Sequence, residues 1–560
     1  MADCSLVVKV DRLVIPRVSP GDEQRSGPAA GPGGVGTRGR ILARLALVVS
    51  AGLVLYWSGP PRDLWWLAPL AVAGFVLAVR RIRARAGFGY GLLFGLAYTL
   101  PLLGWLLDFL GAQFGPWPWL GVCLVQSLFF GLAGAGAARV SRLPGAPLWQ
   151  AAVFLTAEVL RSSLPFGGFP WGRLAFTQTG GVLLPLASLG GTALVGLGVA
   201  LVGAGLAESL ARLPWFRREV AGRSGRERRA GGRGRLLVVP VCAVLVPVLG
   251  GLAVVPTVGA TASSGTATVA AVQGSAPNVG LDLLYRDRQL RLNHVRAARR
   301  LADDVAAGRV GRPDLVLLPE QVGSWGPERR DPALRRIAER IGAPVIVGGL
   351  AYGPDGRLSN RIVRWGPETG ASGEYVKQHL VPFAEKIPLR SVAGAVSPFV
   401  RRFQQDMVAG DEPGLLRAGP ARLGVGICYD VAYDDVFRQA ARAGANLFAL
   451  PTNNAWYGHS EMSHQQLAMA RLRAVEHGRS MVVAATTGVS AVVRPDGSVV
   501  RRTEQFTAET VVSEVPLRSS NTVATFLGRY VTWLVSALGV GAVLTTSLRR
   551  YRDGAVGSVR

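Results

Sequence analysis

Long apolar runs occupy the first half of the chain and return near its C-terminus. Runs of roughly 17 to 25 residues, the length that crosses a bilayer as a helix, occur at 41–57, 64–79, 88–110, 117–138, 147–164, 182–208, 236–256 and 523–547. No such run interrupts residues 258–522, where charged residues return at ordinary density. The pattern predicts a polytopic α-helical membrane bundle of about eight spans, with one globular domain before the last span.

Residues 258–522 show a different pattern, in which short β-rich runs alternate with amphipathic stretches. The β-rich runs are 266–275, 314–320, 344–352, 361–365, 373–381, 422–430, 445–453, 480–487 and 490–502, and the helical stretches are 284–307, 331–342, 435–445 and 464–478. The last β-rich run contains PDG, which is typical of a hairpin turn. This alternation indicates a layered α/β fold.

The positive charges are placed in alternate loops of the membrane part. The chain carries 62 Lys and Arg against 36 Asp and Glu, a formal charge of +26. Arginines concentrate at 80–85, 139–142, 212–235 and 549–552, and the positive-inside rule puts those loops in the cytoplasm. Both termini are then cytoplasmic and residues 258–522 lie on the outer face. Because topology explains these arginines, we do not expect a nucleic-acid partner.

These patterns divide the chain into five parts. We predict a disordered cytoplasmic tail at 1–40, a membrane domain of seven helices at 41–257, an extracytoplasmic catalytic domain at 258–522, a C-terminal transmembrane helix at 523–547 and a cytoplasmic tail at 548–560. The mean hydropathy of +0.29 agrees with a membrane protein.

Four cysteines are present, and only Cys428 falls in the outer domain. Cys4 lies in the predicted tail, and Cys123 and Cys242 lie in predicted spans. A disulfide within the chain is therefore excluded for Cys428, which leaves two interpretations: a buried filler or a nucleophile.

Three reactive side chains stand at or near the ends of predicted strands: Glu320, Lys377 and Cys428. A thiol nucleophile needs a base and a group that stabilises the oxyanion, roles that a partly buried glutamate and a lysine can fill. Taken singly, each residue also has an ordinary structural interpretation, as a loop carboxylate, a solvated lysine or a small core side chain.

Four segments, in order, resemble the signatures of the nitrilase superfamily. They are LVLLPEQ (315–321), YVKQHLVPFAEKIPL (375–389), GVGICYD (424–430) and the segment from PTNNAW to PDG (451–497). The segment LRSSLPFGGFPWGRLAFTQ (160–178) extends the resemblance to the membrane branch of that superfamily, apolipoprotein N-acyltransferase.

The resemblance implies an α/β nitrilase-like αββα sandwich with Glu320, Lys377 and Cys428 as the catalytic residues. Matching further positions to the family assigns supporting or substrate-binding roles to Glu385, Tyr429, Trp456 and Asp430. Asp430 departs from the glutamate more usual in the family, so its role is the least defined.

The implied reaction is ping-pong acyl transfer in a bacterial cell membrane. Cys428 would take an acyl chain from a membrane phospholipid as a thioester and pass it to the N-terminal amino group of a diacylglyceryl-cysteine lipoprotein. This mechanism requires no metal and no cofactor.

Two alternatives remain open. A membrane-anchored amidase or nitrilase that hydrolyses a small amide would use the same residues, although one anchor would suffice for it. A transporter or receptor would use the outer domain only to bind a ligand, but ionisable residues within the spans are scarce.

Overall fold

The apolar runs of the chain form helices in the computed structural model, which describes residues 37–213, 235–259, 261–276, 287–326, 328–396 and 405–557. Helices satisfy every backbone polar group internally, as a bilayer requires. They are α1 (Thr37–Ser58), α2 (Leu67–Val79), α3 (Ala84–Leu102), α4 (Trp117–Val140), α5 (Ala146–Arg161), α6 (Ala187–Leu210) and α7 (Arg235–Val254), with a last helix at Val523–Gly557. Each of the eight predicted runs corresponds to one of these helices.

Not all of these helices are long enough to cross a bilayer. Five are long and apolar enough: Arg38–Ser58, Trp117–Val140, Leu184–Leu210, Val238–Thr257 and Val523–Arg549. A sixth span results if α3 and Leu107–Phe114, which meet at 70°, are one broken span. With 13 residues, α2 reaches about 20 Å, less than the ~30 Å hydrocarbon core. The described residues thus form a helical membrane region with about five to six apolar spans, fewer than the eight predicted.

Residues 1–36 of the predicted N-terminal tail and 558–560 of the predicted C-terminal tail lie outside the described residues. So do residues 214–234 of the arginine-rich loop. At both ends the helices extend into the predicted tails. Helix α1 begins at Thr37, and the last helix continues to Gly557.

The strands of the outer domain form two sheets. The first contains β1 (Thr266–Gln273), β2 (Leu315–Leu317), β3 (Gly323–Trp325), β4 (Val345–Tyr352), β5 (Leu358–Gly366), β6 (Gly370–Val376) and β13 (Glu509–Pro516); the second contains β7 (Leu415–Ala418), β8 (Ala421–Val425), β9 (Leu447–Thr452), β10 (Met481–Ala485), β11 (Ala491–Val493) and β12 (Val499–Arg502). Their orders are β13-β1-β2-β4-β5-β6, with β3 beside β4, and β12-β11-β10-β9-β8-β7. The central strands β1, β2 and β4, and likewise β8, β9 and β10, are parallel. The antiparallel pair β11 and β12 confirms the PDG hairpin.

Helices cover the outer faces of the two sheets: α8 (Asp287–Ala306) and α9 (Pro332–Ile341) lie on the first, and α11 (Val436–Arg442) and α12 (Met462–His477) on the second. A short helix, α10 (Arg390–Val396), follows the first sheet, and the last helix of the chain, α13, packs on α5 and α6 of the membrane part. Alternation along β1 explains the layering, because successive side chains point to opposite faces. Val269 shares a core with Val425 of the second sheet, whereas Val272 packs with Leu290 and Leu301 of α8. The αββα sandwich predicted from the resemblance is confirmed.

The second sheet faces the membrane helices through α12. Phe448 of β9 and Leu472 of α12 belong to the same buried apolar cluster as Phe94 and Phe154 of the membrane helices. The outer domain is therefore packed directly on the bundle and not only tethered to it.

Candidate active site

Three strand ends bring the predicted site residues together. Glu320 follows β2, Lys377 follows β6 directly, and Cys428 follows β8. Because the two sheets face each other across a shared core, the segments that follow the carboxyl ends of β2 and β8 bring their side chains to one site, where the charges of Glu320 and Lys377 act on Cys428. All three side chains are buried, with 3%, 1% and 5% of their surface exposed.

Lys377 lies between two carboxylates, which form with it and Asn360 what we call the carboxylate cluster. Its Nζ is 3.3 Å from Oε1 of Glu320 and 3.0 Å from the carboxylate of Glu385. The backbone N–H of Asn453 donates to the second oxygen of Glu320 at 2.8 Å. The prediction that Glu385 supports the site thus has a geometric basis in its contact with Lys377.

Asn360 was missed by the sequence analysis. Its Nδ2 donates to Glu320 at 2.6 Å and to Glu385 at 2.8 Å, and so joins the two carboxylates. The sequence offered no clear signal for it, because the strand LSNRIVRWG also carries Ser359, Arg361 and Arg364 and the predicted strand began one residue later, at 361.

The cluster shifts the pKa of both partners. Burial, followed by the nearby charge of Glu385, raises the pKa of Glu320, although Lys377 acts in the opposite direction. Burial alone would lower the pKa of Lys377, but Glu320 and Glu385 reverse this and raise it well above the usual range. Lys377 therefore stays charged, while Glu320 is suited to accept a proton.

Cys428 begins a short 3-10 helix, Cys428–Ala432, which is separated from the end of β8 by two residues, and we call this segment the nucleophile turn. Its φ of +47° is uncommon for a residue with a side chain and marks a sharp change of direction. Nε2 of Gln466, another residue missed from sequence, lies 3.5 Å from Sγ. Burial, followed by the charge of Glu320, raises the pKa of the Cys428 thiol to about 12. The thiol is therefore protonated at rest and needs a base during attack.

Asp430, whose role the sequence left least defined, holds the nucleophile turn in place. It accepts hydrogen bonds from the backbone N–H groups of Ile427 and His379, both at 2.9 Å, and from the hydroxyl of Tyr375 at 2.8 Å. The carboxylate is fully buried. It thus ties the turn to the segment after Lys377.

Tyr429 and Trp456 contact the membrane part of the chain. The ring of Tyr429 stacks on Trp171, with centroids 6.4 Å apart and planes at 19°. Trp456 packs edge-on against Phe109 at 5.8 Å. The structure therefore brings Glu320, Lys377, Glu385 and Cys428 together, and places these two aromatic rings where the outer domain meets the helices.

The described ranges contain no group of three or more His, Cys, Asp or Glu side chains that could hold a metal ion. The chemistry that this site can perform with its own residues is thiol attack on a carbonyl carbon, assisted by a carboxylate base and an ammonium group.

Two family models match the chain. Residues 51–205 match the apolipoprotein N-acyltransferase N-terminal domain, and residues 294–524 match the carbon-nitrogen hydrolase family. Among solved structures, Nit3 of Saccharomyces cerevisiae, a member of branch 10 of the nitrilase superfamily, is 17% identical and covers 47% of this chain and 94% of its own, with a TM-score of 0.33.

Curated relatives match over nearly the whole length. The apolipoprotein N-acyltransferase of Mycolicibacterium smegmatis is 38% identical over 524 residues, which cover 91% of this chain and 86% of the relative. That of Azotobacter vinelandii is 30% identical over 531 residues, which cover 91% and 96%. The chain belongs to the apolipoprotein N-acyltransferase family and is a multi-pass membrane acyltransferase of the nitrilase superfamily.

Proposed function

We propose that Cys428 carries an acyl chain, as a thioester, from a membrane phospholipid to the N-terminal amino group of a diacylglyceryl-cysteine lipoprotein. The observation that carries this proposal is the buried contact of Lys377 with Glu320 and Glu385, beside a thiol that is protonated at rest.

In the first half-reaction, Sγ of Cys428 attacks the ester carbonyl carbon of the phospholipid. Glu320 accepts the thiol proton as the S–C bond forms, and the ammonium group of Lys377 stabilises the oxyanion. The C–O ester bond then breaks, and Glu320 returns the proton to the glycerol oxygen. A lysophospholipid leaves and the acyl chain remains on sulfur.

In the second half-reaction, the α-amino group of the acceptor attacks the thioester carbon. Glu320 takes a proton from the amine, the C–S bond breaks, and the proton returns to Sγ. An amide forms and the free thiol is restored. Glu385 contacts Lys377 directly, and Asn360 donates to both Glu320 and Glu385. Together they hold the base and the cation in place during both steps.

Both substrates are embedded in a bilayer, so the position of the site relative to the membrane is part of the proposal. Eight helical segments cross the membrane, α2 and α5 as short spans, and residues 258–522 lie on the outer face with both termini in the cytoplasm. The arginines at 80–85 and 549–552 support this orientation. The rings of Tyr429 and Trp456 then lie near the entry of the acyl chain.

The test is direct capture of the thioester. Full-length protein in detergent micelles is incubated with phospholipid labelled in its acyl chain, and the label is expected on Cys428, released by neutral hydroxylamine. A synthetic diacylglyceryl-cysteine peptide should then take up the label at its amino terminus. Cys428→Ala should abolish labelling. The matched control is Cys242→Ala, which removes an exposed thiol far along the chain from the site.

The opposite result has a clear meaning. Absence of label on Cys428, together with release of ammonia from small amides, would make the chain an amide hydrolase and overturn the acyl-transfer proposal.

A further inference from the structure

Arg473 of α12 holds the end of the nucleophile turn. Its guanidinium is fully buried. Nε donates to the carbonyl of Val431 and Nη2 to that of Ala432, both at 3.0 Å. These are the last two residues of the turn that starts at Cys428. A cation at the C-terminal end of a helical turn stabilises its free carbonyl groups.

The same guanidinium reaches a carboxylate that the membrane part also binds. Nη2 of Arg473 is 2.8 Å from Oδ1 of Asp434. Nη1 of Arg173, which follows α5, lies 2.8 and 2.9 Å from the two oxygens of the same carboxylate, and the hydroxyl of Thr192 in α6 donates to it at 2.9 Å. One acidic residue therefore joins the nucleophile turn to α6 and to the segment between α5 and α6.

Two further carboxylates complete this group. Glu158 of α5 lies 3.6 Å from Nε of Arg173, and Glu476 of α12 forms an ion pair with Arg473. We call Glu158, Arg173, Asp434, Arg473 and Glu476 the interdomain cluster. Apart from Asp434, whose side chain is 25% exposed, every member is almost completely buried.

Stability alone is a weak reason for burying so many charges. Removing ions from water costs several kcal/mol each, and a hydrophobic replacement of a buried ion pair is often as stable. What charged pairs add is geometric definition, since the planar guanidinium fixes direction as well as distance. Here the fixed geometry is that of the nucleophile turn relative to α5 and α6.

We infer that Arg173, Asp434 and Arg473 are positioning residues. They fix the position of the Cys428 thiol relative to the membrane helices, and so relative to the acyl ester of the phospholipid. The inference rests on the proposed acyl transfer through Cys428. Misplacement of reacting atoms by about 1 Å can cost about 100-fold in rate. The cluster therefore acts on the rate of thioester formation and not on phospholipid affinity.

The test compares two arginines that both cross the boundary between outer domain and helices. Arg173 belongs to the interdomain cluster. Arg471 of α12 contacts the membrane part through the carbonyl of Thr179 at 2.8 Å and through Asp63 at 3.6 Å, but no contact of Arg471 with the nucleophile turn is present among the described residues. Arg471→Gln is thus the matched control for general loss of docking.

We expect Arg173→Gln to lower the single-turnover rate of thioester formation about 10- to 100-fold with little change in phospholipid KM. The rate of Cys428 alkylation by iodoacetamide should change as well, because it reports the thiol without lipid. Arg173→Lys, which keeps the charge but loses the two-atom contact, should be intermediate. Arg471→Gln should leave the turnover rate close to that of the wild type.

Equal losses in Arg173→Gln and Arg471→Gln, or a change in KM alone, would overturn the inference in favour of simple docking. If Arg173→Gln does not fold, Asp434→Asn tests the same link from the outer domain. Failure of the proposed function is a separate result: wild-type protein would then form no thioester on Cys428, while alkylation of the thiol would still report its positioning.

Discussion

The carboxylate cluster lies beside the first residue of the nucleophile turn and the interdomain cluster at its last carbonyl groups. Both clusters bury carboxylates, but with opposite effects on the carboxylate pKa. Burial and Glu385 raise the pKa of Glu320. Burial would also raise the pKa of Asp434, but Arg173 and Arg473 reverse this and hold it well below the usual range. One lysine shared by two carboxylates leaves a carboxylate that can take a proton, whereas two arginines on one carboxylate keep it charged. The first arrangement suits proton transfer and the second suits holding a position.

The largest expected effect follows from removing the shared cation of the carboxylate cluster. Lys377→Met leaves Glu320 and Glu385 buried without a counter-charge. We expect a loss of about 3–5 kcal/mol in the free energy of unfolding and a fall of about 10²- to 10³-fold in thioester formation, since an oxyanion donor is lost. Lys386→Met, at an exposed position nearby, is the control. Similar activity in the two variants would show that Lys377 takes no part in the chemistry.

A smaller effect is expected at Asp430, which holds the nucleophile turn through hydrogen bonds within the outer domain. Asp430→Asn replaces one carboxylate oxygen, which accepts a hydrogen bond, with an NH₂ group, which cannot. At least one of the donors Tyr375, Ile427 and His379 is then left unpaired. This should cost about 1–3 kcal/mol of stability and lower the single-turnover rate about 10- to 100-fold. Asp435→Asn removes the neighbouring carboxylate, which bonds only the His379 ring among the described side chains, and should have less effect. The reverse order would place the support of the turn elsewhere.

A milder change tests the interdomain cluster from the membrane side. Gly191 of α6 has a φ of +64°, and a Cβ there would lie 2.4 Å from Oε1 of Glu476. Gly191→Ala should therefore lower the free energy of unfolding by about 1–3 kcal/mol through backbone strain. Turnover should fall only several-fold, because the end of the Glu476 side chain can shift away from the new methyl group. Gly121→Ala, where a Cβ meets nothing within 4 Å, should leave both properties unchanged. Thermal unfolding and turnover of the two variants decide the point.

The contrast between the clusters also explains what the sequence could predict. The layered fold, most element positions and the residues of the carboxylate cluster other than Asn360 follow from alternation, strand ends and motif order. Arg473 could not be found this way, because in the amphipathic segment ARLRAVEHGR it resembles any surface arginine. Its burial results from the packing of α12 on the membrane helices, which depends on contacts between residues far apart in the chain. Local hydropathy likewise did not reveal that α2 ends after 13 residues, so the eight predicted spans go beyond the five to six that helix length supports.

The smallest expected effect, and one that only the carboxylate cluster should show, is a shift in the pH dependence of thioester formation. The base must be ionised, so thioester formation should fall as pH drops through the pKa of Glu320, which burial and Glu385 raise and Lys377 lowers. The hydrogen bond from Asn360 stabilises the charged form and so lowers this pKa. Asn360→Leu should therefore move the acidic limb of the single-turnover profile to higher pH, whereas the loss of Asn360 as a positioning group lowers the rate on the alkaline plateau without moving the limb. The control is Ser359→Ala on the same strand, whose hydroxyl bonds, among the residues that the structure describes, to the carbonyl of Ala351 and to Arg361. This variant should leave the limb in place. A limb that stays fixed or moves to lower pH in Asn360→Leu would mean that a group other than Glu320 takes the thiol proton.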